Sequence, residues 1–555
     1  MDLKKFYGVS LKHCAGQLFW CMKCYHVCKR KAQNYGKKLN LIWYTQLMLT
    51  SKSNWLLIFS LFFFILVVAI QYRFPDSDQF EQIPVIQALL TPETYQNDWY
   101  VQHSNLSVRF FYMQLVAGLS SVITVKIAYG LLYLFSVIAT FGGIFLVIFR
   151  LLGRKDVAVL TAGIVLLGFL PALGSSALFY PMVVPTNIAI PLTLFATYFV
   201  LKKQYLISAV FLSLATLIHI LLGPLTAIFL AVLVLSRPEY RGTFSLYFRA
   251  GVTYIAISSL AAVPFLLQSH TQTTKLTTEQ LLHIIAYVRH PWHYLPSQFS
   301  LVEYSGFVLL LISFIIFLKR DTNKTRKQTF LTITYIFAVF LSIGTIFVEL
   351  FPIGIVIKLQ LFRLSSYFSF YMFAYVVHTF LGLAEKKLSK QRVYVLLCCV
   401  TIITCSMLSV LHFQKLQLRK SNDESRFELY SWIKESTTRT AIFLVPPYMD
   451  DARYRMERAI VVDFKAFPFG NAEMVEWFSR IQAITNNQEY AFRGNRNNEL
   501  IEGYCSLTSD DVYSLSLKYH FDYFLVNTTH CKTDYSFPQA YNNNTFTLYQ
   551  IDTNG

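Results

Sequence analysis

Acidic residues are scarce in this 555-residue chain: 31 Asp and Glu stand against 49 Lys and Arg, and charged residues make up only 14% of the whole. With 54% of residues hydrophobic, there is too little charge to coat an ordinary soluble protein, and the composition points to a membrane. The excess of base gives a formal net charge of +18. Nucleic-acid binding needs such charge gathered on a contiguous basic surface with base-stacking groups, and no stretch of the sequence offers one. A cleavable signal peptide is not expected either. The basic region before the first apolar run is too long, and no small-residue cleavage site follows that run. Repeats and low-complexity segments do not stand out. Cysteines are few, nine in all. The pair Cys21 and Cys24, near His13 and His26, lacks the second spaced pair expected of a zinc site and reads better as reduced thiols or acylation sites.

What the chain has is apolar runs of spanning length. Read against the basic loops, they predict about eleven membrane spans. These begin near Trp55, Lys126, Val157, Asn187, Tyr205, Leu222, Phe248, Glu303, Gln328, Tyr367 and Val393. The first, Trp55 to Tyr72, is expected to be an anchor that stays in the membrane. Lys and Arg cluster before it, from Lys4 to Lys52, and again at Arg150/Arg154/Lys155, Lys202/Lys203, Arg237/Arg241, Lys319 to Lys327 and Lys386 to Arg392. All of these fall on one side, which the positive-inside rule makes the cytoplasm. The expected architecture is a polytopic α-helical membrane protein. A basic cytoplasmic arm (1–53) leads into a transmembrane domain (54–413) whose first outer loop spans 73–125, and an extracytoplasmic α/β domain (414–555) follows.

Two stretches of the first outer loop, Phe80 to Leu90 and Leu106 to Val122, have apolar residues at helical spacing and predict helices lying in the interface plane or packed within the loop. Beyond about Gln414 the apolar runs shorten and charge rises. Helices are expected from Arg426 to Lys434, Ala472 to Ile484 and Ser509 to Tyr519, the last capped by Ser509. Strands are expected at Ala441–Val445, Ala459–Asp463, Tyr523–Val526 and Thr545–Ile551. Cys505 and Cys531 would both lie outside the cytoplasm, where a disulfide can form. Asn105, Asn527 and Asn543 match the N-glycosylation acceptor pattern, which carries little meaning in a bacterial host.

The polar residues on the expected outer side could carry chemistry. The first loop gives Asp76, Asp78, Glu81 and Asp98; a span end gives His219; a later loop gives Arg289, His290 and His293; another gives Lys358 and Arg363. Each has an ordinary alternative, since loop aspartates cap helices and an interfacial arginine snorkels. Taken together, carboxylates facing Arg and His from several spans suit deprotonating an acceptor while holding a phosphate. In the last region Asp450, Asp451, Arg453, Arg455, Arg458, Asp463 and Lys465 crowd together, and read slightly better as a salt-bridged surface than as an acceptor site or lid.

A many-span chain with its N-terminus inside, an acidic first outer loop with two interfacial helices, and an outer C-terminal domain resembles the GT-C superfamily of integral-membrane glycosyltransferases. The stretch from Val445-Pro446-Pro447 through Arg453, Asp463 and Lys465 to Trp477 and Arg480, with the run Arg289 to Ser297, is similar to an uncharacterised bacterial polytopic family with a GT-C-like core. The resemblance implies transfer of a sugar from a polyprenyl-phosphate carrier to an extracytoplasmic acceptor, at a bacterial inner membrane. It implies Asp78 as catalytic base or as the group that orients the acceptor, Asp98 as a second carboxylate or metal partner, and Arg289, Arg363, His290, His293 and His219 around the donor phosphate. A divalent cation, magnesium or manganese, serves some relatives and not others. The competing readings are a transporter or flippase for a lipid-linked or polar solute, and a non-catalytic scaffold of the same architecture. A transporter is expected to show two related halves, and no such repeat is evident.

Overall fold

The structure is a computed structural model that describes residues 68, 71–104, 108–168, 170–264, 276–387, 424–491 and 494–551. The basic arm, almost all of the first expected span, the last expected span with Cys398, Cys399 and Cys405, and the Asn105 acceptor site lie outside these residues.

Most of the described chain is helical. Four helices are long and apolar enough to cross a membrane: Val125–Leu152, Leu301–Arg320, Lys324–Leu350 and Gly354–Lys386. The expectation of about eleven spans thus meets four helices of spanning length among the described residues. The first shows how such a helix is written in sequence. Thr124 caps its start by accepting from the Ile127 N–H, and Gly153 ends it in the left-handed conformation at φ 71°. One face buries Tyr129, Tyr133, Val137 and Ile144 while the other leaves Ile127, Leu131, Leu134, Phe135 and Ile138 about half exposed. An uncovered apolar stripe of that length suits lipid contact.

Between these lie shorter apolar helices, Pro185–Leu201, Tyr205–Ile218 and Leu222–Ser236. At 1.5 Å per residue they reach only ~20–26 Å, less than a ~30 Å hydrocarbon core. The second breaks at His219, whose backbone turns extended (φ −144°, ψ 99°). The basic loops gather at one end, where Arg154 pairs with Glu385 at 2.8 Å and Arg237 reaches Gln328 at 3.2 Å. At the opposite end the first loop, the His219 break and the segments 282–298 and 354–364 come together.

The first loop folds as expected into helices at Gln79–Leu90 and Phe110–Ser120, with a short one at Trp99–Ser104 between them. The first of these is not an interfacial helix. Every residue from Gln79 to Ile86 is buried, the polar Gln79, Glu81 and Gln82 included, so it packs as an internal support.

From Glu424 the chain forms a five-stranded sheet flanked by helices. Strands β1 (Ile442–Leu444), β2 (Ala459–Ile460), β3 (Tyr523–Asn527), β4 (Gln539–Asn542) and β5 (Phe546–Gln550) lie in the order β2-β1-β3-β5-β4. The β1–β2 and β1–β3 pairs are parallel; β3–β5 and β4–β5 are antiparallel. Alternation along the strands assigns the two faces. Leu444, Phe524, Val526 and Tyr549 pack with Trp477 and with Ile284, Ile285 and Val288 of the bundle loops, whereas Phe443, Leu525 and Leu548 pack under helix Glu424–Ser436. The helix Ser509–Tyr519 is capped by Thr508 rather than Ser509, because the Thr508 hydroxyl and the Asp511 carboxylate form a reciprocal capping box.

Cys505 and Cys531 are joined by a disulfide. It closes a loop of 26 residues, so replacing Cys505 with Ser is expected to cost about 3 kcal/mol. Thermal unfolding of the variant, compared with reduced and oxidised wild type, checks this. The Asn527 and Asn543 acceptor motifs are not free side chains: Asn527 is 5% exposed and accepts from Thr529, and Asn543 donates to the Ser425 carbonyl.

Candidate functional site

A cavity of about 540 Å³ opens where the short helices end. Its walls come from four parts of the chain: the first loop (Ser77, Asp78, Val108, Arg109), the 175–186 segment with the His219 break, the 285–294 and 358–363 segments, and Lys465, Phe469 and Met474 of the C-terminal region. Of the residues selected from sequence, Asp78, His219, His293 and Arg363 line it together. Arg289, His290 and Asp98 do not.

Asp78 sits at the start of helix Gln79–Leu90 with no cap bond to make. Its Oδ1 instead lies 2.6 Å from the Lys465 ammonium, and Ser77 Oγ donates to it at 3.4 Å. Burial pushes the Asp78 carboxyl up, but Lys465, Arg109 and Arg289 outweigh burial and hold it well below the usual carboxylate range. Asp78 is therefore an acceptor at every physiological pH.

His293 is oriented from behind. Its Nδ1–H donates to the Gly174 carbonyl at 2.7 Å, which leaves Nε2 as the unprotonated nitrogen. Gly174 is required here: it lies at φ 68°, and a Cβ would meet Phe362 at 3.1 Å and Phe299 at 3.3 Å. Burial first, then Arg363, push the His293 imidazole down to about 4. The folded protein thus holds His293 neutral while the unfolded chain takes up a proton near the ordinary histidine value. This contribution to stability is complete above pH ~6.5 and is lost as pH falls toward 4. Melting temperature followed across that window is expected to fall less steeply in His293→Asn, whose amide can still donate to Gly174.

His219 turns its Nδ1 toward the Leu221 N–H at 3.4 Å. Arg363 rides on the turn Leu361–Leu364, its Nε donating to Gln360, which in turn donates to the Tyr294 hydroxyl. Two more cations line the cavity, Arg109 and Lys358. Arg109 is paired with the buried Glu81 and stacks over Phe469 at 5.3 Å. Lys358 donates to Asn471 at 3.1 Å. Among the described residues, four cations thus face a single carboxylate, beside a lining rich in apolar groups such as Met182, Val184, Ile218, Leu221 and Ile285. Such a site attracts an anion attached to an apolar body.

Arg289 stands one layer behind the cavity. It is 4% exposed, lies over the rings of Phe464 and Phe467, and donates from Nη2 to the Lys465 carbonyl at 2.7 Å. His290 packs beside it against Phe467, and burial followed by the Arg289 charge drives its imidazole well below the ordinary value. Arg289 ends a π-helix, Leu282–Arg289, and its contacts are with the C-terminal aromatic cluster.

Asp98 has a different place from the one expected. It is fully buried, with Oδ2 accepting from Arg453 Nε at 2.8 Å and from the Ile460 N–H at 3.0 Å, and Oδ1 from the Val101 N–H at 3.0 Å. Arg453 also pairs with Asp463, itself 1% exposed. This ion triad ties the first loop to the C-terminal region. Asp98 therefore shares no cavity with Asp78, and the two carboxylates do not form a common site for a divalent cation. The rest of the charged C-terminal cluster is mostly internal too. Asp451 serves Tyr430 and Arg455, and Arg458 donates to the carbonyls of Lys434 and Thr437. Asp450, raised to about 6 by burial and by its neighbours Asp451 and Asp463, lines none of the cavity either. Lys465 alone of that cluster reaches it.

Arg109 is the cavity cation that sequence reasoning passed over. The one signal was its position, immediately before an amphipathic helix of the acidic loop.

Among known proteins, a family described as a domain of unknown function, DUF6798, matches residues 426–484, the part that carries Arg453, Asp463 and Lys465. No curated protein matches the chain.

Proposed function

We propose that this chain is an integral-membrane glycosyltransferase of the GT-C type, which moves a sugar from a polyprenyl-phosphate carrier to an acceptor outside the cytoplasm. The observation that carries the reading is the composition of the cavity: one ionised carboxylate, Asp78, among the cations Arg109, Lys358, Arg363 and Lys465, at the ends of short apolar helices. The chemistry of such a transfer needs both halves. The acceptor hydroxyl loses its proton late in its attack on the anomeric carbon, when the forming bond has made it strongly acidic and even a weakly basic carboxylate such as Asp78 can receive it. The lipid phosphate leaves with an added charge, which fixed cations stabilise without reorganising. Arg363 is the best placed to clamp it, since a guanidinium is planar and always charged. Neutral His293 and His219 add polar contacts without further charge. A single displacement inverts the sugar carbon.

In this reading the eleven spans of the sequence analysis are retained, with the short helices as spans that end within the membrane's thickness. The basic loops face the cytoplasm, and the disulfide supports an oxidising location for the C-terminal region. The deciding experiment is sugar transfer in purified membranes from radiolabelled polyprenyl-phosphate donors. Product formation by the wild-type protein is expected. Folded protein that transfers nothing from any lipid donor would return the chain to the transporter or scaffold reading.

A further inference from the structure

Lys465 joins two groups that the transfer would treat oppositely. Its backbone is anchored, since its carbonyl accepts from Arg289 and the next residue's N–H is held by Asp463 at 2.6 Å. Its side chain is held at its tip instead: the ammonium, on a flexible stem that is 25% exposed, meets Asp78 at 2.6 Å at the cavity wall. Lysine is a compact point charge on a rotatable stem, unlike the planar fork of arginine. Arg363 and Lys358 line the same space from the bundle side.

Resting on the transferase reading, we propose that Lys465 is a shuttling cation, which neutralises Asp78 in the empty site and follows negative charge onto the carrier phosphate as the sugar leaves. The electron count requires such a charge somewhere. The acceptor oxygen forms its bond to the anomeric carbon, and the bond from that carbon to the phosphate oxygen breaks, its electron pair staying on the phosphate. The acceptor proton goes to Asp78. One negative charge therefore disappears at Asp78 and one appears on the phosphate. A cation able to reach both sites keeps the cavity's charge matched at the start and at the end. Arg109 cannot do this, because the buried Glu81 holds it. The C-terminal region then supplies a group that touches the leaving phosphate.

The test is binding of polyprenyl monophosphate, the leaving group itself, to the purified full-length protein in detergent micelles, with polyprenol of the same length as control. Asp78→Asn imitates the proton-neutralised carboxylate and frees Lys465, so it is expected to tighten polyprenyl monophosphate by about tenfold. Lys465→Met is expected to weaken it by about the same factor, and the double variant to match Lys465→Met with no gain from the Asn. Lys465→Arg, which keeps the charge and the ion pair, guards against loss of folding and is expected to stay within about threefold of wild type. If Asp78→Asn gives no tightening, or the same tightening with Met at position 465, the shuttle is overturned while the carrier assignment stands. If no form of the protein prefers the phosphate over polyprenol, the carrier assignment falls and the shuttle with it.

Discussion

On the transferase reading, Asp78→Asn is expected to lower sugar transfer by about 10²–10⁴-fold, as removal of a general base does. The change is nearly isosteric. It keeps the side-chain oxygen that Ser77 and Lys465 approach, and a side chain that is 35% exposed makes little contribution to packing. The melting curve is expected to fall only modestly, by the loss of the ion pair with Lys465, while the large loss appears in kcat. Asp78→Glu retains the carboxylate but moves it by a methylene, so partial activity is expected. Equal transfer by wild type and the Asn variant would remove Asp78 as the base. The assay is the same radiolabelled transfer, run beside a thermal unfolding measurement on each variant.

Asp98→Ala has the opposite profile: a loss of about 3–5 kcal/mol of stability, the cost of breaking a buried ion pair from one side. Arg453 would be left with Asp463 alone at 1% exposure, and the Ile460 and Val101 N–H groups would lose their acceptor. Arg453→Met is expected to be at least as damaging, since it leaves two carboxylates buried with no cation between them. Thermal unfolding and protease resistance in detergent measure both. Activity lost by Asp98→Ala with an unchanged melting curve would restore Asp98 to the catalytic role that the sequence suggested.

These two aspartates show what the sequence could convey. Asp78 was legible because its setting is local: an acidic turn directly before an amphipathic helix, outside an apolar run. Its convergence with His219, His293 and Arg363 followed from a rule that ignores distance along the chain, namely that alternate loops of a helical bundle share an end. Asp98 looked the same by that rule. Its true partner is 355 residues away, and nothing local announces a pairing across that separation. Arg289 was read as part of an outer loop, and the Lys465 carbonyl that holds it one layer behind the cavity is 176 residues away, a separation that no local pattern announces. The inner strands were legible as short apolar runs, whereas the edge strand Gln539–Asn542, partly exposed and polar, carried no such pattern. The break at His219 was legible, since the spans expected to begin near Tyr205 and Leu222 already part the chain there, and the helices end at Ile218 and resume at Leu222.

The ion triad at Arg453 has one more consequence, for dissection and evolution of the molecule. A domain that merely caps a membrane bundle can be trimmed away or exchanged. Here the C-terminal region provides a wall of the cavity through Lys465, Phe469 and Met474, and it provides the counter-ion that lets Asp98 exist in the interior of the first loop. Expressing the bundle without it would expose the apolar surface of Ile284, Ile285 and Val288 and strand a buried carboxylate at once. The two parts are therefore not interchangeable modules. A relative could acquire a different C-terminal region only by changing its first loop in the same step.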